Sequence, residues 1–203
     1  MASSGGVSLP PAFFDRPVLQ VARDLVGCGF YHEGTGGRIV EVEAYAQDDP
    51  CCHAYRRRTP RNDVLFSRPG LLYVYFTYGM HFCANIVTGK EGIGEAVLIR
   101  AVEPLVGIEM MKLNRYGSNK SINLQSLNQK KILNLTNGPA KFCKAFGLAR
   151  QENGLDLLDS EIIIADGETI QSRLIGRSPR IGIRSGLEKK WRFFIKGNPW
   201  VSK

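Results

Sequence analysis

The stretch IVEVEAY, residues 39–45, alternates apolar and polar side chains and decides the fold class. With a period of two, Val40, Val42 and Ala44 point to one face of a strand, and Ile39, Glu41, Glu43 and Tyr45 to the other. The apolar set is expected on a core and the second set along a groove. Outward from this strand the same signals recur. Cys28 to Tyr31 and Arg38 to Tyr45 flank the turn-rich residues Gly34 to Gly37. LLYVYFT (71–77) and Phe82 to Val87 read as a hairpin joined across Tyr78-Gly79-Met80-His81. Further strands are predicted at Glu95 to Val102, Glu161 to Ala165, Arg180 to Arg184 and Trp191 to Lys196. Helices are predicted from Asp15 to Gly27, at Val106 to Leu113, and at Ala140 to Phe146, where Pro139 suits a first turn and Gly147 a stop. Ser118 to Lys131 reads as an exposed loop ending in a short helix. The pattern is α+β: a single compact domain with a curved, mostly antiparallel β-sheet core and peripheral helices. Residues 1–11, small, polar and proline-containing, read as a flexible tail, and 12–203 as the folded domain.

The chain has 203 residues, with 27 Lys and Arg against 19 Asp and Glu and a formal charge of +8. Such an excess suits a nucleic-acid partner, and equally a basic protein whose lysines are merely solvated. The five cysteines are odd in number and have no framework spacing, which fits a reducing, intracellular compartment. The first residues lack a basic, then apolar leader, and no run of about 18 apolar residues occurs, so no membrane association is expected. There is no phosphate-binding G-x-x-x-x-G-K-[ST], no G-x-S-x-G and no H-E-x-x-H. Cys51-Cys52-His53 invites a zinc reading, joined by His81 and Cys83, but adjacent cysteines lack the C-x₂₋₄-C spacing that lets two thiolates meet one ion. Neither metal nor cofactor is expected.

Glu43 sits between Val42 and Ala44 and needs a reason to be there. It reads either as an ordinary exposed strand glutamate or as a general base holding a water. Glu41, one pleat away, reads as a second acid or as a supporting group. Arg100, inside the apolar run AVLIRAV, must meet a carboxylate or phosphate, and beside Glu43 it would favour the ionised carboxylate. Tyr78, next to Gly79 at a hairpin tip, is placed to wedge between base pairs. Tyr45 and His53 could stack on the two faces of an extruded base. Arg56, Arg57, Arg58 and Arg61, interleaved with Thr59 and Asn62, suit phosphates or form a solvated loop.

The segments IVEVEAY (39–45), CHAYRRRTPRN (52–62), PGLLYVYFTYGMHFCANI (69–86), VLIRAVEP (97–104), NGPAKFCKAF (137–146) and RFFIKGNPWVS (192–202) together resemble the alkyladenine, or methylpurine, DNA glycosylases. The resemblance runs in one order from about Leu9 to Ser202. It implies a base-excision repair enzyme acting on alkylated or deaminated purines in double-stranded DNA, with 12–203 as its catalytic domain. By the same resemblance Glu43 activates the water and Arg100 helps to hold it. Tyr45, His53 and Tyr75 line the base pocket, Tyr78 intercalates, and Asn85 crowds the exocyclic amino group of guanine. The resemblance also implies hydrolysis without a catalytic lysine and a monomeric, DNA-associated enzyme. The loop from Tyr45 to His53 is about one residue shorter than in mammalian members, and His81 replaces an aromatic. Two other readings compete: a non-catalytic lesion- or nucleic-acid-binding module, and a metal-dependent nuclease using Glu41 and Glu43.

Overall fold

Residues 7–117, 119 and 122–202 are described by the computed structural model of the chain. Short helices α1 (Pro11–Phe14) and α2 (Val18–Asp24) lead into strands β1 (Gly29–His32) and β2 (Thr35–Tyr45). The hairpin β3 (Leu72–Thr77) and β4 (His81–Val87) precedes β5 (Ala96–Val106). Helices α3 (Ile108–Tyr116), α4 (Gln129–Leu133) and α5 (Pro139–Ala145) follow, then β6 (Ile163–Ala165), β7 (Ile175–Ser178) and β8 (Arg192–Ile195). The strands form one sheet in the order β3-β4-β5-β2-β1-β6, with β8 beside β2 and β7 beside β8. Every pairing among these strands is antiparallel, which bears out the α+β reading.

Two bulges set which side chains face where. Ile39 pairs with Val102 and Glu41 with Ala101, so Val40 is an extra residue on β2; Val42 then pairs with Ile99, so Arg100 is an extra residue on β5. Strict alternation put Ile39 on the glutamate face. The bulge at Val40 corrects this, turning Ile39 into the main core with Val42 and Ala44. That core also takes Leu72 and Val74 of β3, Ala84 and Ile86 of β4, and Val97 and Ile99 of β5, all from one face of the sheet, with α2 and α5 packed on it. The opposite face carries a smaller cluster of Cys52, Ala54, Leu65, Phe66, Tyr73, Val87 and Ala96.

Other expectations shift. Arg180 to Arg184 is irregular rather than a strand, and the strand lies earlier, at β7. Pro179 offers no N–H, Gly182 takes a positive φ of 78°, and the Ile181 N–H is spent on a side chain, as described below. The helix expected at Val106 starts at Ile108, because β5 runs on to Val106 and Gly107 turns the chain at φ 70°. Of the 1–11 tail, residues 1–6 lie outside the described residues, while Ser8 bridges Ala165 and the Leu9 N–H donates to the Ile164 carbonyl. Residues 118, 120 and 121 of the expected Asn- and Lys-rich loop also lie outside the described residues; α4 forms its helical end. Among the described residues no helix is long and apolar enough to cross a membrane.

Candidate active site

On the face opposite the main core, alternate residues of four neighbouring strands line one cavity: Tyr45 of β2; Ala96, Leu98 and Arg100 of β5; Cys83 and Asn85 of β4; Tyr73, Tyr75 and Thr77 of β3. Its volume is about 350 Å³, within the roughly 300–1,000 Å³ of small-molecule sites. Irregular segments close the sides: Cys51, Cys52 and His53 on one, Ile181, Gly182 and Ile183 on another, and Pro139 of α5 on a third. Pro139 reaches the cavity because Asn137 bridges Ala101 of β5.

Glu43 is 0 % exposed and is gripped by groups that belong to the cavity wall. The Tyr45 hydroxyl donates to its Oε2 at 2.8 Å, and the Ile181 backbone N–H donates to its Oε1 at 2.7 Å. The Arg100 Nη1 lies 3.2 Å from the same Oε1. Burial works against the charge on Arg100, but Glu43 and Glu41 outweigh it and hold the guanidinium above its ordinary pKa. Burial and the neighbouring Glu43 charge push the Tyr45 hydroxyl well above its ordinary value, so it stays a donor. A carboxylate oxygen accepts about two hydrogen bonds. Oε2, which meets Tyr45 alone, therefore keeps capacity for a water.

Glu41 is also 0 % exposed and does not look onto a groove, contrary to the strand-face expectation. Arg192 and Ser202 cover it. Its Oε1 accepts from Arg100 Nε at 2.9 Å, Arg192 Nε at 2.6 Å and Ser202 Oγ at 2.8 Å, while its Oε2 accepts from the Ser202 N–H at 2.6 Å. Gripped by four protein donors and buried, Glu41 is an anchor for Arg100. It is not a free ligand for the nuclease reading.

The aromatic wall is built in layers. The His53 ring meets Tyr75 edge-on at 4.4 Å between centroids, and Tyr73 stacks on Tyr75 at 5.5 Å. His53 Nδ1 is 3.1 Å from the Tyr73 hydroxyl, which burial pushes up to about 12, so the hydroxyl is protonated and fixes the ring. Asn85, buried in the floor, donates from Nδ2 to the Tyr73 carbonyl at 3.2 Å. Tyr45, His53, Tyr75 and Asn85 are thus brought to one cavity.

At the cavity rim, Tyr78 is 86 % exposed. It takes φ 50° followed by Gly79 at φ 67°, and the Met80 N–H closes the turn on the Thr77 carbonyl. A left-handed conformation costs a non-glycine residue about 1–2 kcal/mol, and the turn holds the ring outward. Behind it, Arg56, Arg57, Arg58 and Arg61 are exposed. Arg58 is paired with Asp63 at 2.5 Å, and Arg61 donates to the Phe76 carbonyl beside the hairpin tip at 3.1 Å. Arg56 and Arg57 make no side-chain ion pair among the described residues. Asn62, read as a phosphate contact, is buried instead. It donates to the His53 and Arg57 carbonyls and accepts from the N–H and hydroxyl of Thr59, so it shapes the loop and occupies the Thr59 donor.

Cys51, Cys52 and His53 are turned to separate partners: Ser185, the Gly94 carbonyl and Tyr73. Among the described residues no three His, Cys, Asp or Glu side chains gather as a metal site. Sequence reading missed Tyr73, Ile181, Ser202, Arg192, Asp49 and Arg180. An apolar residue such as Ile181 carries no sign that its backbone will serve a site, whereas a charged pair such as Asp49 and Arg180, 131 residues apart, shows only in the fold.

Residues 12–199 match the family described as methylpurine-DNA glycosylase. A Carboxydothermus hydrogenoformans protein named "Putative 3-methyladenine DNA glycosylase" is 45% identical over 200 residues, covering 96% of this chain and 98% of its own. A Burkholderia lata protein of the same name is 45% identical over 202 residues, covering 97% and 92%. One from Methanoculleus marisnigri is 41% identical over 203 residues, covering 97% and 100%.

Proposed function

The chain belongs to the methylpurine-DNA glycosylase family and is thus a DNA repair glycosylase; from that premise we propose that it flips damaged purines into the Tyr45–Tyr75 cavity and hydrolyses their N-glycosidic bond with a Glu43-activated water. The observation that carries this reading is the placement of Glu43: buried, and held by three cavity-lining groups, Tyr45, Arg100 and Ile181. A duplex hides the glycosidic carbon, so the target nucleotide must leave the stack. The water oxygen attacks the sugar carbon as the carbon–nitrogen bond breaks, and that electron pair leaves on the purine nitrogen. Glu43 takes the proton of the water. Arg100, anchored by Glu41, keeps Glu43 aimed.

An alkylated purine is already cationic and leaves readily. Neutral hypoxanthine and ethenoadenine depend more on the water and on the hydrogen bonds of the pocket. Asn85 in the floor would reject undamaged guanine by crowding its exocyclic amino group. No lysine lines the cavity among the described residues, which supports hydrolysis without a lyase step. Arg56, Arg57, Arg58 and Arg61 would follow the phosphates, with Thr59 kept by Asn62 to shape their loop, and the enzyme would act as an intracellular monomer on duplex DNA. The test is incubation with duplexes carrying hypoxanthine, ethenoadenine or a methylpurine. Strand breaks at the lesion only after alkali are expected. No alkali-sensitive sites on any of them would refute excision, and breaks before alkali would refute the monofunctional step.

Tyr78→Ser tests the wedge. Base–aromatic stacking contributes about 1–3 kcal/mol, so lesion-specific duplex binding is expected to fall roughly 10–100-fold with the melting temperature unchanged. Because the ring is exposed, an unfolded variant or unaltered lesion affinity would contradict this role.

A further inference from the structure

Deep beside the cavity lies an ion pair with no part in the steps above. Asp49 and Arg180 have side chains of 0 % exposure, joined at 2.7 Å from Arg180 Nη2 to Asp49 Oδ2. Each end of the pair is tied to a different wall of the cavity. Arg180 Nη1 donates to the carbonyl of Ala44, the residue between Glu43 and Tyr45, at 3.1 Å. Its guanidinium lies 4.6 Å from the Tyr45 ring centre and 5.2 Å from that of Trp191. The next residue along, Ile181, donates the N–H that holds Glu43. On the other side, Asp49 Oδ1 accepts from the Cys51 N–H at 2.8 Å, and Asp49 Oδ2 lies 3.2 Å from Lys189 Nζ. Cys51 in turn reaches the Ser185 carbonyl at 3.2 Å. Burial works against the Asp49 charge, but the Cys51 N–H, Arg180 and Lys189 outweigh it and hold the carboxyl below its ordinary pKa.

We propose that the Asp49–Arg180 pair is a positioning element for excision: it locks the 180–183 segment to the 49–53 loop and to the end of β2. In doing so it sets both the Ile181 N–H on Glu43 and the tilt of Tyr45. This rests on the water-activating reading of Glu43. A buried ion pair contributes little net stability over a well-packed apolar pair, since desolvation offsets the attraction. What a planar guanidinium adds is direction. Its fork meets Asp49 and the Ala44 carbonyl at once while its face lies along Tyr45, a geometry that a lysine ammonium cannot reproduce. The Arg180 Nε, buried without a hydrogen-bond partner among the described residues, shows that the fork is aimed at these two acceptors at the expense of its third donor direction.

The test compares Arg180→Lys and Asp49→Glu, which keep both charges, with the parent on a hypoxanthine duplex under single-turnover conditions. The maximal excision rate is expected to fall roughly 10–100-fold, as for a small misplacement of reacting groups. The enzyme concentration giving half-maximal rate should change less than about threefold, a separation that general loosening would not produce. Introduced into Glu43→Gln and assayed on a 7-methylguanine duplex, Arg180→Lys should slow the residual excision no further, because it acts through Glu43. Parental rates in both variants overturn the proposal. So does an equal loss with and without Glu43, or unfolding of both variants, each of which makes the pair structural alone. If Glu43→Gln itself excises normally, it is the underlying reading of Glu43 that fails.

Discussion

Glu41→Ala is expected to lower folding stability by about 3–5 kcal/mol, the usual consequence of leaving buried charges without their partner. Glu41 is 0 % exposed and accepts from Arg100, Arg192 and both donors of Ser202. Alanine leaves two largely buried guanidinium groups facing one another across the emptied site. It also releases Ser202, whose N–H and hydroxyl both donate to Glu41. Glu41→Gln keeps the shape and some of the hydrogen bonds but not the charge, so its loss should be smaller. Urea unfolding measures both. A Glu41→Ala midpoint within error of the parent would mean that the arginines find water or other acceptors and that the network is dispensable. Folded Glu41→Ala molecules should also excise poorly, because Arg100 then loses its anchoring carboxylate and keeps only Glu43 and the Ser202 hydroxyl.

The strand at 39–45 was legible because one face of β2 is apolar and its polar residues share the other, and a period-two pattern survives wherever the backbone is regular. It failed at Ile39, where the bulge at Val40 adds a residue with no local signature: Val40 and Ile39 are interchangeable to any alternation rule. Glu41 and Glu43 looked equivalent for a related reason. What separates them is the company each keeps: Ser202 over Glu41, and the Ile181 backbone with Tyr45 on Glu43. Those partners lie more than 130 residues away, except for Tyr45. The hairpin tip was legible from Tyr78-Gly79, since glycine marks the turn and an aromatic beside it is displayed. Asn62 was misread because asparagine in a basic loop suits a phosphate and a loop-stapling bond equally well. Arg180 to Arg184 looked like a strand from its apolar alternation, but Pro179 and the ion pair to Asp49 hold it as an irregular wall of the cavity. The chemistry-bearing residue types were visible along the chain, whereas the groups that aim them come from sequence-distant segments.

Glu43→Gln, assayed on a hypoxanthine duplex with enzyme in excess, tests the central claim most directly. Glutamine occupies nearly the same space; its oxygen can accept from the Ile181 N–H while its NH2 donates to the Tyr45 hydroxyl, which rotates to accept, so the fold should persist. It cannot take a proton from water, and the loss of a general base typically slows a reaction by on the order of 10²–10⁴. Removing a negative charge near a phosphate-rich partner should not weaken the hold on DNA. The predicted result is therefore a folded protein that binds the lesion duplex at least as tightly as the parent yet excises hypoxanthine at least about a hundredfold more slowly. Excision by Glu43→Gln at close to the parental rate would contradict the account.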